Sequence, residues 1–233
     1  VSISLEESSQ YLSGLLLAAP LAREELCIHI KGKKAVSWPY VSLTLQVMEA
    51  FGPGVQVEVL EENSWKEVAW KEVNQVTPGE IRFIISPQKY KARHFTVEGD
   101  WSNSSYFLAA GAVGSVPVCL HKVFKESRQG DRAIVDILQQ MGATARWEAE
   151  TLTVGPASLQ GAFLDMGSCP DLVPTVAVLA SMARGRTRIT NVAHLRLKES
   201  DRLQALAREI AKCGCQIQVL DDGLDIKPQP IPK

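Results

Sequence analysis

Three glycines along the chain close the same hydrophobic pattern. Counting back from Gly52, the residues one, four and eight positions earlier are Phe51, Met48 and Thr44. From Gly142 they are Met141, Leu138 and Ile134, and from Gly214 they are Cys213, Ile210 and Leu206. Apolar side chains at that spacing form one face of an amphipathic helix, with Thr44 the weakest member. A glycine just past the last helical residue supplies the left-handed backbone that ends a helix. After each glycine the pattern changes to alternation: Val55, Val57, Val59; Ala143, Ala145, Trp147; Cys215, Ile217, Val219. Period two is the mark of a strand with one buried face.

Upstream of each stripe lies a second apolar helix followed by a strand. Residues 10–21 lead to 26–30, residues 105–113 to 116–120, and residues 170–183 to 187–192. Asp221-Asp222-Gly223 is a hairpin signal joining the last two strands. The chain therefore reads as three copies of a β-α-β-α-β-β unit about 70 residues long. The closing glycines are 72 residues apart between the second and third copies but 90 apart between the first and second. The difference predicts an insertion in the first copy, placed near residues 72–93. Units of this kind bury their helix faces only by stacking, so the expected class is α/β with helices packed inside sheets.

The 233 residues are 45% hydrophobic and 22% charged, an ordinary globular balance. The net charge of −1 gives no general field for nucleic acid, so an anion site must be local. No apolar run approaches the ~20 residues of a membrane helix, and no secretory leader pattern opens the chain. Five widely spaced cysteines argue against a disulfide framework and suit a reducing cytoplasm. Cys213 and Cys215 read as buried small apolar residues, and His29 as a structural strand residue. The four histidines show no metal-ligand spacing.

Candidate chemistry lies at four helix starts. His194 to Arg202 holds six ionisable side chains in nine residues. Lys198 and Arg202 are four apart, which a helical turn would place on one side. Cations there oppose the helix dipole, which suggests an anionic ligand, with Glu199 among them as a proton donor or acceptor. A solvated, salt-bridged helix start is the plain alternative. Asp171 follows Pro170 in the first turn of another helix, as a base or as simple helix stabilisation. Ser8, Ser9 and Gln10 precede a third helix, as a phosphate cradle or as a serine cap. Ser37 and Tyr40 open a fourth with the same ambiguity. In a stacked-repeat fold such starts could converge.

Leu197-Lys-Glu-Ser-Asp-Arg202, Cys169-Pro-Asp171, Val97-Glu-Gly-Asp100, Gln129-Gly-Asp131 and Ser8-Ser-Gln10 occur in an order and at gaps that resemble the 5-enolpyruvylshikimate-3-phosphate (EPSP) synthase family. The resemblance implies two globular halves, inside-out α/β barrels of three units each, so six in all. Residues 1–93 would be one unit of the first half and 94–233 two units of the second. It implies transfer of the enolpyruvyl group from phosphoenolpyruvate to the 5-hydroxyl of shikimate 3-phosphate, in a cytoplasmic monomer. No metal, organic cofactor, membrane or nucleic-acid partner is implied.

By position, Ser8, Ser9 and Ser37 would hold the shikimate phosphate, Gln10 would touch both substrates, and Tyr40 would line the shikimate pocket. Asp171 would take the proton of the 5-hydroxyl, and Lys198 and His194 would bind shikimate 3-phosphate. Glu199 would protonate the methylene carbon of phosphoenolpyruvate, and Arg202 would bind that substrate's anion. The family chain is nearly twice this length. The expectation is therefore a piece of the enzyme with little or no turnover alone. Competing readings are an enolpyruvyl transferase acting on a UDP-sugar and a non-catalytic ligand-binding α/β module.

Overall fold

The structure is a computed structural model that describes residues 1–228. The chain divides into two compact units. One comprises Val1–Thr96 with Arg128–Gly130, and the other Val97–Ser127 together with the chain from Asp131 onward. The last five residues, within the 94–233 segment expected above, lie outside the described residues.

The first unit begins with β1 (Ser2–Ser4), α1 (Gln10–Ala18), β2 (Leu26–Lys31) and α2 (Trp38–Ala50). It continues with β3 (Gln56–Glu61), β4 (Ser64–Val68) and β5 (Ile81–Ile85). The five strands form one sheet in the order β1-β2-β5-β3-β4, with β1 and β2 parallel and the other pairs antiparallel. Alternation decides its faces. Ile28, Ile30, Ile81, Phe83, Ile85 and Val57 are buried. Leu12 and Leu16 of α1 and Leu45 and Met48 of α2 join them in one core. Thr44, the weak member of the stripe, places its hydroxyl 2.9 Å from both the Tyr40 carbonyl and Ser13 Oγ on α1. A β-branched polar residue is thus satisfied between the two helices.

The second unit contains α3 (Trp101–Val113), β6 (Val118–His121), α4 (Ile134–Gln140), β7 (Ala145–Glu148) and β8 (Thr151–Val154). These are followed by β9 (Phe163–Asp165), α5 (Val173–Met182), β10 (Thr187–Thr190), α6 (Arg202–Lys212), β11 (Gln216–Leu220) and β12 (Gly223–Lys227). They make a three-stranded sheet, β6-β8-β7, and a four-stranded sheet, β11-β12-β10-β9. Side chains of both sheets and all four helices share one core, from Trp101 and Leu108 through Leu138 and Val176 to Leu203 and Ile226.

All three copies have one strand order: the last strand lies between the second and the third. In the first copy β5 holds that inner place, so the extra length is not the whole of 72–93. It is the edge strand β4 and its connection to β5, earlier than the sequence spacing suggested. The β3–β4 turn uses Glu62 (φ 48°) and Asn63 (φ 64°), the positive-φ pair a two-residue hairpin wants. In place of an opening strand, the second copy has the Gly99 N–H donating to the Lys122 carbonyl at 3.0 Å.

The three closing glycines all take the left-handed conformation, at φ 111° (Gly52), 92° (Gly142) and 86° (Gly214). Leu138, Met141, Met48 and Ile210 are buried as the stripes require. Cys213 is not: it is exposed, as is Cys119, and Cys27 is half-buried. Cys215 is buried as expected, and Cys169 is buried too. No cysteine is in a disulfide.

Asp225 is 4% exposed and accepts two hydrogen bonds from Arg186 Nε, at 2.7 and 2.8 Å, beside a further contact from the guanidinium. Arg186 holds the Asp225 carboxyl below the usual carboxylate range. Arg186→Ala is expected to cost about 1–3 kcal/mol in urea denaturation at pH 7, because a buried acceptor loses its donor. A carboxylate lowered in the folded state stabilises above its ordinary pKa, and that contribution is lost as pH falls through the lowered value. The gap between wild type and variant should therefore close on acidification.

Candidate functional site

In the first unit β1 and β2 run parallel, so Ser4 and Lys31 end side by side. The loops beyond them are tied together. The Val36 N–H donates to the Leu5 carbonyl at 3.0 Å, and the Lys33 N–H to Glu6 Oε1 at 2.5 Å. From these adjacent loops rise the starts of α1 and α2. Neither helix is capped by its N-cap side chain. Ser9 and Ser37 hold those positions without a capping bond. Ser37 has left-handed backbone, φ 57° and ψ 37°, a strained state for serine. Ser8 Oγ accepts the Gln10 N–H at 3.2 Å. Gln10 is exposed, Ser37 and Tyr40 are half-buried, and Ser9 is 2% exposed. The structure thus presents Ser8, Gln10, Ser37 and Tyr40 around these helix starts but buries Ser9.

The second unit repeats the arrangement with different side chains. β9 and β10 run parallel and end together at Asp165 and Thr190. Asp165 Oδ1 accepts the Gly167 N–H at 3.0 Å and an Asn191 amide N–H at 3.2 Å, joining the two loops. The first loop carries Asp171 on a 3-10 turn, Pro170–Leu172, ahead of α5. The second carries the turn Ala193–Leu197 and then Lys198 to Arg202.

Arg202 is the first residue of α6 and draws both loops together. Its guanidinium donates to Asp171 Oδ1 at 2.8 Å and to the two oxygens of Glu199 at 2.9 and 3.2 Å. A cation at a helix N-terminus opposes the macrodipole, and two carboxylates offset that cost. Arg202 holds Glu199 below the usual carboxylate range, assisted by a hydrogen bond from Glu199's own backbone. Glu199 in turn pushes the Arg202 pKa up, with Asp171 adding to the effect. The Glu199 side chain is 69% exposed against 26% for Arg202, so the clasp lies open to solvent on its glutamate side.

Asp201 fixes the helix start: its side chain accepts the Gln204 N–H at 3.1 Å. Asp201 also pairs with Arg196 at 3.3 Å, and Arg196 donates to the Leu220 carbonyl at 2.7 Å. Arg196 was not among the residues singled out from the sequence. Only its five-residue spacing to Asp201 hinted at the pairing.

One expectation is corrected. Lys198 is not on the helix with Arg202; it has extended backbone (φ −78°, ψ −168°) because Asp201 starts the helix three residues later. His194 is buried, at 4% exposure. Cys169, two residues before Asp171, is pushed up to about 12 by burial, with Asp131 and Asp165 adding to the shift. It is a thiol at neutral pH and no nucleophile. Among the described residues no group of three or more His, Cys, Asp or Glu is arranged to hold a metal ion. Nor is any helix among them long and apolar enough to cross a membrane.

These features define a class: an α/β repeat protein whose polar chemistry gathers beyond the carboxyl ends of parallel strands, where such folds bind ligands. The family model for EPSP synthase (3-phosphoshikimate 1-carboxyvinyltransferase) matches residues 1–231, and the chain belongs to that family. It is 42% identical over 223 residues to the 3-phosphoshikimate 1-carboxyvinyltransferase of Methanococcoides burtonii, covering 94% of this chain and 48% of that protein. It is also 42% identical over 230 residues to the same-named protein of Methanosarcina mazei, covering 97% and 49%. The EPSP synthase structure from Acinetobacter baumannii shares the fold, with a TM-score of 0.69 at 23% identity over 98% of this chain and 48% of that one. The chain thus spans about half the length of the curated relatives it matches.

Proposed function

We propose that this chain carries the acid–base centre and part of the phosphate site for enolpyruvyl transfer from phosphoenolpyruvate to the 5-hydroxyl of shikimate 3-phosphate. The observation that supports it is the meeting of Asp171 and Glu199 on Arg202. Asp171 takes the proton of the 5-hydroxyl. Glu199 gives a proton to the methylene carbon of phosphoenolpyruvate. The cation left at the neighbouring carbon is attacked by the hydroxyl oxygen, forming a tetrahedral adduct. The adduct loses phosphate and a methyl proton to restore the enol ether. Arg202 and Lys198 offset the phosphate and carboxylate charge. Ser8 and Ser37 hold the shikimate phosphate, with Ser9 buried behind them; Gln10 touches both substrates, and Tyr40 flanks the sugar acid. In this reading residues 1–93 supply one unit of the first family half and 94–233 two of the second. The protein acts in the cytoplasm without metal or organic cofactor.

The clasp also gives an order of events. Arg202 favours the ionised form of Glu199, which opposes proton donation while the clasp is closed. The anion of phosphoenolpyruvate takes the guanidinium and frees Glu199 to face the substrate.

The test is phosphate release by the protein at the full length of its relatives. Release is expected with phosphoenolpyruvate and shikimate 3-phosphate, and none with UDP-N-acetylglucosamine as acceptor. Asp171→Asn should lower kcat by about 10²–10⁴, the usual worth of a positioned base. Release with the UDP-sugar alone, or full activity in Asp171→Asn, overturns the reading.

A further inference from the structure

We propose that Cys27 and Cys119 are sites of covalent modification by soft electrophiles, each served by the histidine two residues further on. Cys27 and His29 are both on β2, and Cys119 and His121 are both on β6. Residues two apart on a strand share a face, so each thiol and imidazole project together. Cys27 Sγ lies 3.3 Å from His29 Nε2, and Cys119 Sγ lies 4.0 Å from His121 Nε2. β2 and β6 hold the same place in their repeats, as the second strand beside the last. The same Cys-x-His pair therefore stands at equivalent points of two copies, outside the residues assigned to enolpyruvyl transfer.

Each pair has its own neighbours on the sheet. Around the first pair, Arg82 of β5 stands opposite His29 and is paired with Glu58 of β3 at 2.6 Å. Lys31 of β2 and Glu67 of β4 add further charges, and the Val1 ammonium donates to the Cys27 carbonyl at 2.8 Å. The indole of Trp65 meets the His29 ring edge-on at 5.9 Å, with the Arg82 guanidinium over the indole at 4.4 Å from its centroid, and so fixes the imidazole. Around the second pair, β8 offers Thr153 and Thr151, and β7 beyond it carries Arg146 and Glu148. His121 Nδ1 lies 3.1 Å from Thr151 Oγ1. With that nitrogen donating to the hydroxyl, Nε2 presents its lone pair to Cys119.

The thiolate, not the thiol, is the nucleophile. In each pair the imidazole takes the thiol proton. With iodoacetamide as probe, sulfur forms a bond to the methylene carbon and iodide leaves. Cys213 is the internal control, exposed, with its Sγ 3.9 Å from the Glu209 carbonyl. Buried Cys169 reports folding.

The experiment is peptide-level mass spectrometry of alkylation rates at pH 7. Cys27 is expected to react about tenfold faster than Cys213, and Cys119 faster by a smaller factor. His29→Gln should bring Cys27 down to the Cys213 rate and leave Cys119 unchanged; His121→Gln should do the reverse. Should a variant expose Cys169 to labelling and so prove unfolded, the wild-type ranking decides alone. Wild-type rates for Cys27 and Cys119 no higher than that of Cys213, or rates that survive both folded Gln variants, overturn the proposal.

Discussion

Glu199→Gln, in the protein at the full length of its relatives, is expected to lower kcat by about 10²–10⁴ while phosphoenolpyruvate still binds. Glutamine keeps the size and accepts from Arg202 through one oxygen, but it has no proton to give to carbon. Binding should even tighten, since a neutral amide competes less for the guanidinium. The clasp supplies a second readout. Arg202 favours the ionised form of Glu199 in the free protein. If Glu199 is the acid, the reactive complex must carry a proton on it, and substrate binding then takes up that proton. Calorimetry in two buffers of different ionisation enthalpy should show that uptake in wild type and its absence in Glu199→Gln. Retained turnover in the variant removes Glu199 as the acid; turnover lost without proton uptake in wild type removes the clasp from the sequence of events.

The second large effect is structural in origin. A Cβ built on Gly223 falls 1.9 Å from the Ile189 carbonyl oxygen. Both partners are backbone in neighbouring strands of one sheet, so no side chain can turn aside. Gly223→Ala should cost about 3 kcal/mol, the upper end for overpacking. It should also disturb the site. The Asn191 N–H donates to Asp222 Oδ2, the Val192 N–H to the Asp222 carbonyl, and Arg196 to the Leu220 carbonyl. The end of the β11–β12 hairpin thus holds the loop that carries Glu199 and Arg202. Gly14→Ala is the opposite case. Gly14 lies in the exposed middle of α1 with nothing within 4 Å of its added Cβ. That variant should gain about 0.5–1 kcal/mol. Urea denaturation of both variants checks the pair of signs.

Much of this architecture is local in origin and so visible in the sequence. Glycine after a stripe at Gly52, Gly142 and Gly214 has one conformational meaning, and all three adopt it. Charged side chains crowded between Lys198 and Arg202 marked a site before any coordinates. What was illegible depended on contacts distant in the chain. The extra edge strand β4 follows a turn at Glu62-Asn63 that lacks the usual glycine, so nothing local marks where β3 ends. The inner place of β5 is a pairing choice that no local pattern specifies. Lys198 was placed on the helix by spacing alone, whereas Asp201 with Gln204 three residues later is a capping pattern that sets the start at Arg202. Burial of His194 and exposure of Cys213 follow from how their turns pack, since neither residue type announces its own environment.

The hairpin's hold on the acidic loop sets a timetable for synthesis. A nascent chain that has emerged only as far as Lys212 already contains Glu199 and Arg202, but not the strands whose carbonyls and carboxylate seat the segment before them. Glu199 and Arg202 therefore take their final positions only after β11 and β12 have formed.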